Sequence, residues 1–531
     1  MSSWLRFALG ALAMLTCAPS LAAQGKRPNV LFIFTDDHAP HAIGAMGGPL
    51  ASVNPTPNID RLASEGMLFR KSFCTNSICG PSRAVILTGK HSHKNGFRQN
   101  GERFDPTQAT FPKYLQGVGY ETAIIGKWHL GSDPQGFDYW DVLPGQGDYY
   151  NPILRTAKGN RTVEGYCTDI VTGLAIDWLK ERDDERPFFL MCQHKAPHRN
   201  WMPPLRHLSL YADVEIPEPA TLFDRWADNA TPASIQEMEI DRHMDLVYDL
   251  FLEPFEGWDK EADSDKSGFQ NLKRMTPAQR ETWRAAFAAE NAAFLADRPT
   301  GEELVRWKYQ RYLKNYLRTI RGVDDSVGAL LAYLEDSGLA DDTIVVYSSD
   351  QGFYLGDHGW YDKRWMYEES LGMPLIVRWP GETRPGSVNE HLVQNIDYAP
   401  TFLDLAGLSI PADMQGRSLV PLLKGESPAW RDAIYYHYYG FSGAHHVARH
   451  YGIRTDRHKL IHFYDFDEWE LYDLEADPDE STNLFGQPEQ LELTARLAVD
   501  LGELRGRFED DSIVVPKPEP WRAQQRARSA K

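Results

Sequence analysis

The chain has 531 residues, 42% of them apolar and 12% aromatic, enough to bury a large core in one big domain with a smaller companion. Its formal net charge of −19 excludes the basic surface through which nucleic acids and anionic membranes are held, so an anionic ligand must be met by a few local cations. Five scattered cysteines, one of them in an apparent leader, exclude a disulfide framework and lack the spacing of zinc ligands.

Residues 1–23 read as a signal peptide, with Arg6 as the positive start, an apolar run over 7–15, and Ser20, Ala22 and Ala23 as the small residues of a cleavage site. The run is too short to span a bilayer and no later stretch is long enough, so the expectation is export to the periplasm or medium without a membrane span. Cys17 follows Leu15 and Thr16, a poor match to a lipidation site.

Residues 29–35, Asn-Val-Leu-Phe-Ile-Phe-Thr, form a continuous β-prone run ending in Asp36 and Asp37, the pattern of a buried parallel strand. Ligands bind at the carboxyl ends of such strands. The pattern recurs at 121–125 before Gly-Lys-Trp-His, at 187–191 before Gln-His-Lys-Ala-Pro-His, and at 343–347 before Ser-Ser-Asp-Gln-Gly. Helical periodicity lies between, at 166–181 and 304–337. The expected fold is therefore α/β: a large, mixed, mostly parallel sheet sandwiched by helices over residues 24–422. Residues 203–300 break this rhythm with short helical pieces, Trp, Pro and acidic residues, and are expected to be an insertion that shapes a pocket on the strand-exit side. Beyond residue 422, strand-like runs at 432–439, 451–455, 459–464 and 469–474 precede a helix at 489–508. They predict a C-terminal subdomain of antiparallel sheet plus helix over 423–515, sharing an extensive interface with the larger part. Residues 516–531, rich in Lys and Arg, are expected to be a disordered tail.

Asp36 with Asp37, and Asp350 with Gln351, place oxygen donors at two strand exits. Hard cations such as calcium prefer such donors, although either pair alone would also suit a capped turn. Residues 79–89 read Cys-Gly-Pro-Ser-Arg-Ala-Val-Ile-Leu-Thr-Gly. This resembles the signature of the formylglycine-dependent sulfatases of the alkaline phosphatase superfamily, Cys-x-Pro-Ser-Arg followed by Leu-Thr-Gly, at Cys79, Pro81, Ser82, Arg83, Leu87, Thr88 and Gly89. The likeness extends along nearly the whole chain, through Gly-Lys-Trp-His-Leu-Gly, Ala-Pro-His-Arg-Asn-Trp and Ser-Ser-Asp-Gln-Gly-Phe-Tyr-Leu-Gly-Asp-His-Gly.

The resemblance implies that a formylglycine-generating or anaerobic sulfatase-maturating enzyme converts Cys79 to formylglycine (3-oxoalanine), whose hydrated form attacks sulfur. It implies calcium held by Asp36, Asp37, Asp350, Gln351 and the modified Cys79. It gives Arg83 the formylglycine oxygens, Lys127 and Lys363 the sulfate oxygens, His129 the role of base that frees the product, and His198 that of acid for the leaving alcohol. His194 is the weaker histidine match, and His358 could meet substrate or brace a turn. Many sulfatases carry Asn or His where this chain has Gln351, whose amide oxygen still suits calcium.

Residues 356–370 and 450–455 resemble bacterial polysaccharide sulfatases, including those similar to N-acetylglucosamine-6-sulfatases; related enzymes act on ulvan and carrageenan. The expected substrate is thus a sulfated carbohydrate. The aromatic and His-rich stretch 435–451 suits a sugar-binding border or strand core equally well. Two rivals remain: a phosphonate or phosphate monoester hydrolase of the same superfamily, and a non-catalytic carbohydrate-binding homologue. The latter should have lost Cys79, Arg83 or a metal-site Asp, and none is lost.

Overall fold

The computed structural model describes residues 27–226, 228–253, 272–441 and 443–511. The expected signal peptide and tail lie outside the described residues, as does part of the 203–300 insertion.

Strand Asn29–Thr35 is buried along its whole length, because its alternating side chains enter two different cores. Val30, Phe32 and Phe34 pack with Ala84, Ile86 and Leu87 of helix Cys79–Thr88 and with Phe402 of helix Tyr398–Leu405. Leu31 and Ile33 pack with Val171 and Ala175 of helix Cys167–Glu181 and Val323 and Val327 of helix Gly301–Asp336. Each face is thereby covered by helices, and emptying one such aromatic position would cost about 3–5 kcal/mol.

The strand belongs to a ten-stranded sheet. Its centre runs Thr343–Ser349, Asn29–Thr35, Phe188–Gln193, Glu121–Lys127 and Tyr139–Leu143, all parallel. Ser387–Asn389, Met67–Phe69 and Leu375–Arg378 extend one edge, and the hairpin Ile153–Thr156 with Gly159–Thr162 the other. The mixed, mostly parallel sheet expected from sequence is present. The edge strands had no sequence signal, being three or four residues long and, in Gly159–Thr162, fully exposed.

Four antiparallel strands follow in spatial order Ala433–Tyr438, His450–Thr455, His458–Phe463 and Glu468–Asp473, with Leu497 and Leu501 of helix Leu491–Arg507 closing their core. This sheet is wired to the larger part: Lys459 bridges Glu368 and Glu480 at 2.8 and 2.7 Å. The Tyr436 hydroxyl accepts from the Ser77 amide at 3.2 Å and donates to the Arg364 carbonyl at 2.7 Å.

The insertion has the expected short helical pieces at Leu205–His207 and Thr231–Ile235, and also a long one that the sequence reading did not foresee. It ends in the 21-residue helix Pro277–Asp297, started by a reciprocal capping box between Thr276 and Gln279. Among the described residues no helix is long and apolar enough to cross a membrane.

Candidate active site

Strand register assembles the site. Thr35 lies opposite Ser349, so the next residues, Asp36 and Asp350, leave adjacent strands side by side. Phe34 lies opposite Gln193, and Gln193 opposite Gly126, which brings Lys127 to the same rim. Gly126 is required there: a Cβ would sit 1.8 Å from the Gln193 carbonyl oxygen, and its φ is +105°.

Cys79 is the first residue of helix Cys79–Thr88, which is buried throughout and stopped by left-handed Gly89, whose amide donates to the Val85 carbonyl at 2.8 Å. The amide-rich end of the helix thus faces the strand exits. Gly80 lets the segment approach its neighbours, since a Cβ would meet Phe97 at 2.6 Å and Asn100 at 2.9 Å. Ser82 donates to the Asp350 carbonyl and accepts from the Asn395 amide at 2.8 Å. Arg83 donates from Nε and Nη2 to Asp350 at 3.0 and 2.9 Å, and from Nη1 to the Lys127 carbonyl at 2.9 Å and Gln193 Oε1 at 2.7 Å. The signature is therefore a clamp that fixes Cys79 against Asp350.

Oxygens of Asp36, Asp37 and Asp350 lie within 4.8 Å of one another, and Asp36, Cys79 and His198 form a second such group. Lys127 pairs with Asp36 and reaches Gln146 Oε1 at 2.5 Å, while Lys363 is chelated by Asp37 at 2.5 and 2.6 Å. The buried Oε1 of Gln351, whose Nε2 donates to Asp37, has no hydrogen-bond donor, and the Asp36 carboxylate has no partner besides the Lys127 ammonium and, at 4.0 Å, the Arg83 guanidinium. Three buried carboxylates gathered within 4.8 Å, beside a buried amide oxygen left without a donor, are the chemistry a hard cation takes, so the residues fit calcium.

Burial lifts the pKa of Cys79 beyond what Lys363 lowers, and keeps the thiol protonated. His198 Nδ1–H donates to the Arg199 carbonyl at 2.5 Å, and its Nε2 lies 3.8 Å from Asp37. Burial, Lys127, Lys363 and Lys195 hold this imidazole neutral. His129, at φ +57°, is likewise held neutral by burial and by Lys127 and Arg83, and it borders a cavity of 270 Å³ with Trp128, Glu102 and Arg155.

The structure thus brings Asp36, Asp37, Cys79, Arg83, Lys127, His129, His198, Asp350, Gln351 and Lys363 into one linked environment. His194 goes elsewhere: its Nε2 meets the Ser326 hydroxyl at 3.0 Å in the opposite core, and burial pulls its pKa to about 4. His358 contacts Asp224 at 3.4 Å and Glu369 at 3.8 Å under Tyr354, Trp360 and Tyr367, the turn-bracing alternative. The stretch 435–451 is mostly core, with Tyr435, Tyr436, His437, Tyr438 and His450 buried. In its less buried middle, His445 accepts from Arg199 at 3.2 Å and donates to the Glu237 carbonyl at 2.7 Å.

Sequence reading missed several residues around the cluster. Arg199 is gripped by Asp249 at 2.6 and 2.9 Å between the rings of Tyr248 and Tyr361. Asp362 and Arg364 pair with each other on either side of Lys363. Lys195 stands three residues before His198, and its only sequence signal was its place at a strand exit.

A family model described as Sulfatase matches residues 28–408, and one described as N-sulphoglucosamine sulphohydrolase, C-terminal, matches residues 356–507. The chain is 47% identical over 516 residues to an N-acetylglucosamine-6-O-sulfatase of Bacteroides thetaiotaomicron, covering 96% of this chain and 92% of that protein. It is similar to the solved structure of a protein in complex with its substrate D-glucosamine-2-N,6-O-disulfate, with a TM-score of 0.87 and 46% identity over 92% of this chain and 99% of that one. A phosphonate monoester hydrolase from Silicibacter pomeroyi shares the fold, with a TM-score of 0.66 and 22% identity over 91% of this chain and 96% of that one.

Proposed function

Because the chain belongs to the sulfatase family and is a sulfuric ester hydrolase, we propose that it removes the 6-O-sulfate of a glucosamine unit in a sulfated glycan. The observation that carries this reading is the near full-length likeness, at 47% identity, to a protein named for that reaction.

Asp36, Asp37, Asp350 and the Gln351 amide oxygen would hold calcium, which when bound would polarise a sulfate oxygen. Formylglycine made from Cys79 would, when hydrated, supply the oxygen nucleophile that a protonated thiol does not. Lys127 and Lys363 meet the negative charge that gathers on the sulfate oxygens as the ester bond breaks. His129, held neutral, accepts a proton as sulfate departs. His198 has its Nδ1–H committed to the Arg199 carbonyl, so in the free chain Nε2 carries only a lone pair. Its service as acid therefore requires the substrate's negative charge to offset the lysines, so that Nε2 can take a proton and pass it to the leaving alcohol.

Cys79 is 1% exposed and its whole helix is buried, so the maturing enzyme must reach it before this part of the chain closes. Export by the 1–23 leader would place the enzyme in the periplasm or medium.

The test is sulfate release by chain coexpressed with a maturing enzyme, from 6-O-sulfated N-acetylglucosamine, ulvan and carrageenan oligosaccharides, and phosphonate and phosphate monoesters, with peptide mass read across Cys79. An aldehyde-type mass and preference for the 6-O-sulfated sugar are expected. Preference for an algal oligosaccharide would overturn the substrate, and faster cleavage of phosphonate esters would favour the superfamily rival.

A further inference from the structure

Arg83, Lys127 and Lys363 each face a buried carboxylate. Lys195, the fourth cation of the site, does not. It is 5% exposed, and among the described residues it makes no ion pair and no side-chain hydrogen bond; its Nζ lies 4.7 Å over the Tyr149 ring. A cation over an aromatic face recovers only part of the cost of drying an ammonium.

Its position is not incidental. Lys195 belongs to the turn that carries His198, whose amide donates to the Lys195 carbonyl at 3.1 Å. The same turn is fastened to the metal-site strand by the Asp36 amide, which donates to the Ala196 carbonyl at 3.3 Å. Tyr149, beneath the lysine, donates its hydroxyl to the His198 carbonyl at 2.6 Å. From there the ammonium acts electrostatically on Cys167 and Asp148, less strongly on Asp37 and Cys79, and on Lys127, His129 and His198. Burial lowers its pKa to about 8, which still leaves it charged at neutral pH.

We propose that Lys195 is a further anion-binding residue, whose partner is a sulfate oxyanion carried in by the substrate. This rests on the sulfatase reading of the site. Two sources offer that chemistry: the scissile sulfate, or a second sulfate on the same sugar.

The test compares wild type with Lys195→Met, which keeps an apolar stem on Tyr149 and removes the charge, and Lys195→Arg, which keeps the charge. The first probe is inorganic sulfate, titrated against melting temperature. The second is kcat/KM on glucosamine 6-O-sulfate and on its 2-N,6-O-disulfate. Lys195→Met is expected to lose about 10- to 100-fold, with partial recovery in Lys195→Arg. Equal losses on both sugars, with weaker binding of inorganic sulfate, identify the scissile sulfate; a loss confined to the disulfate identifies the second one.

Removing an unpaired buried charge should leave the sulfate-free melting temperature unchanged or higher. A fall would mean that the ammonium has an internal partner, and would overturn the proposal. So would sulfate affinity and both kcat/KM values within about twofold of wild type. If wild-type enzyme released no sulfate from either sugar, the substrate reading would fail, while the inorganic sulfate titration would still decide the role of Lys195.

Discussion

Arg83→Met tests the clamp that joins the signature helix to Asp350 at the exit of strand Thr343–Ser349. Arg83 is 3% exposed, and Asp350 beside it is fully buried. Two of its nitrogens donate to Asp350 Oδ2, and Nη1 donates to the Lys127 carbonyl and to Gln193 Oε1. Methionine fills much of the volume but strands the carboxylate, and breaking one side of a buried ion pair costs about 3–5 kcal/mol. Arg83→Lys keeps a charge but not the fork; losing the bonds to Lys127 and Gln193 costs about 2 kcal/mol at roughly 1 kcal/mol each. Carried to a chain of this length, per-residue unfolding entropies make each kcal/mol worth about 1 °C in melting temperature. Calorimetry should therefore rank wild type above Arg83→Lys and Arg83→Met lowest. The decisive assay is the double variant with Asp350→Asn, which leaves no stranded charge. It should lose less than the sum of the two single losses by about 2 kcal/mol or more. Additivity within about 0.5 kcal/mol would refute the clamp as the source of the cost.

The acid assigned to His198 predicts that His198→Ala loses about two to four orders of magnitude on a sugar sulfate and far less on an aryl sulfate, whose leaving group needs no proton; equal losses would remove His198 from that role. Calcium supplied at about 100 times its Kd after chelation should restore activity and add about 2.7 kcal/mol of stability, and Asp36→Asn should abolish both responses; a chelated enzyme with full activity and unchanged melting would count against the metal assignment. For His358, burial pulls the pKa down, but the Asp224 hydrogen bond and the Glu369 and Asp357 charges outweigh it and raise the group to about 9. Its stabilisation is complete below the ordinary 6.5 and is lost as pH rises through about 9, by at most about 3 kcal/mol. Glu369, raised by burial to about 7, has largely finished titrating by about pH 8, so from there to about pH 9.5 wild type should lose stability more steeply than His358→Gln. Parallel curves would sink the assignment.

The sheet core was legible because residues such as Val30, Phe32 and Ile33 carry their preference locally: a strand filled on both faces has to be central and parallel. Its exits were legible for the same reason, and the register of Thr35 with Ser349 then makes neighbours of two acidic pairs more than 300 residues apart. Histidines were harder. His194 and His198 share one short motif, but only the path of the chain after strand Phe188–Gln193 sends the first into Ser326 and the second toward Asp37. The aromatic stretch misled because rings that suit sugars also suit strand interiors, and Tyr436 spends its hydroxyl on Ser77 and Arg364 rather than on a pocket. Arg199, Asp249 and His445 were invisible for a further reason: each comes from a different segment, and their partnership exists only after the insertion and the loop before strand His450–Thr455 close over the strand exits. The sequence motif thus carries the residues proposed for catalysis, whereas the cluster of Arg199, Asp249 and His445 beside them is a tertiary product. It follows that changes at Arg199, Asp249 or His445 should redistribute activity among sulfated sugars, while changes at Cys79 or Arg83 should lower it on all of them.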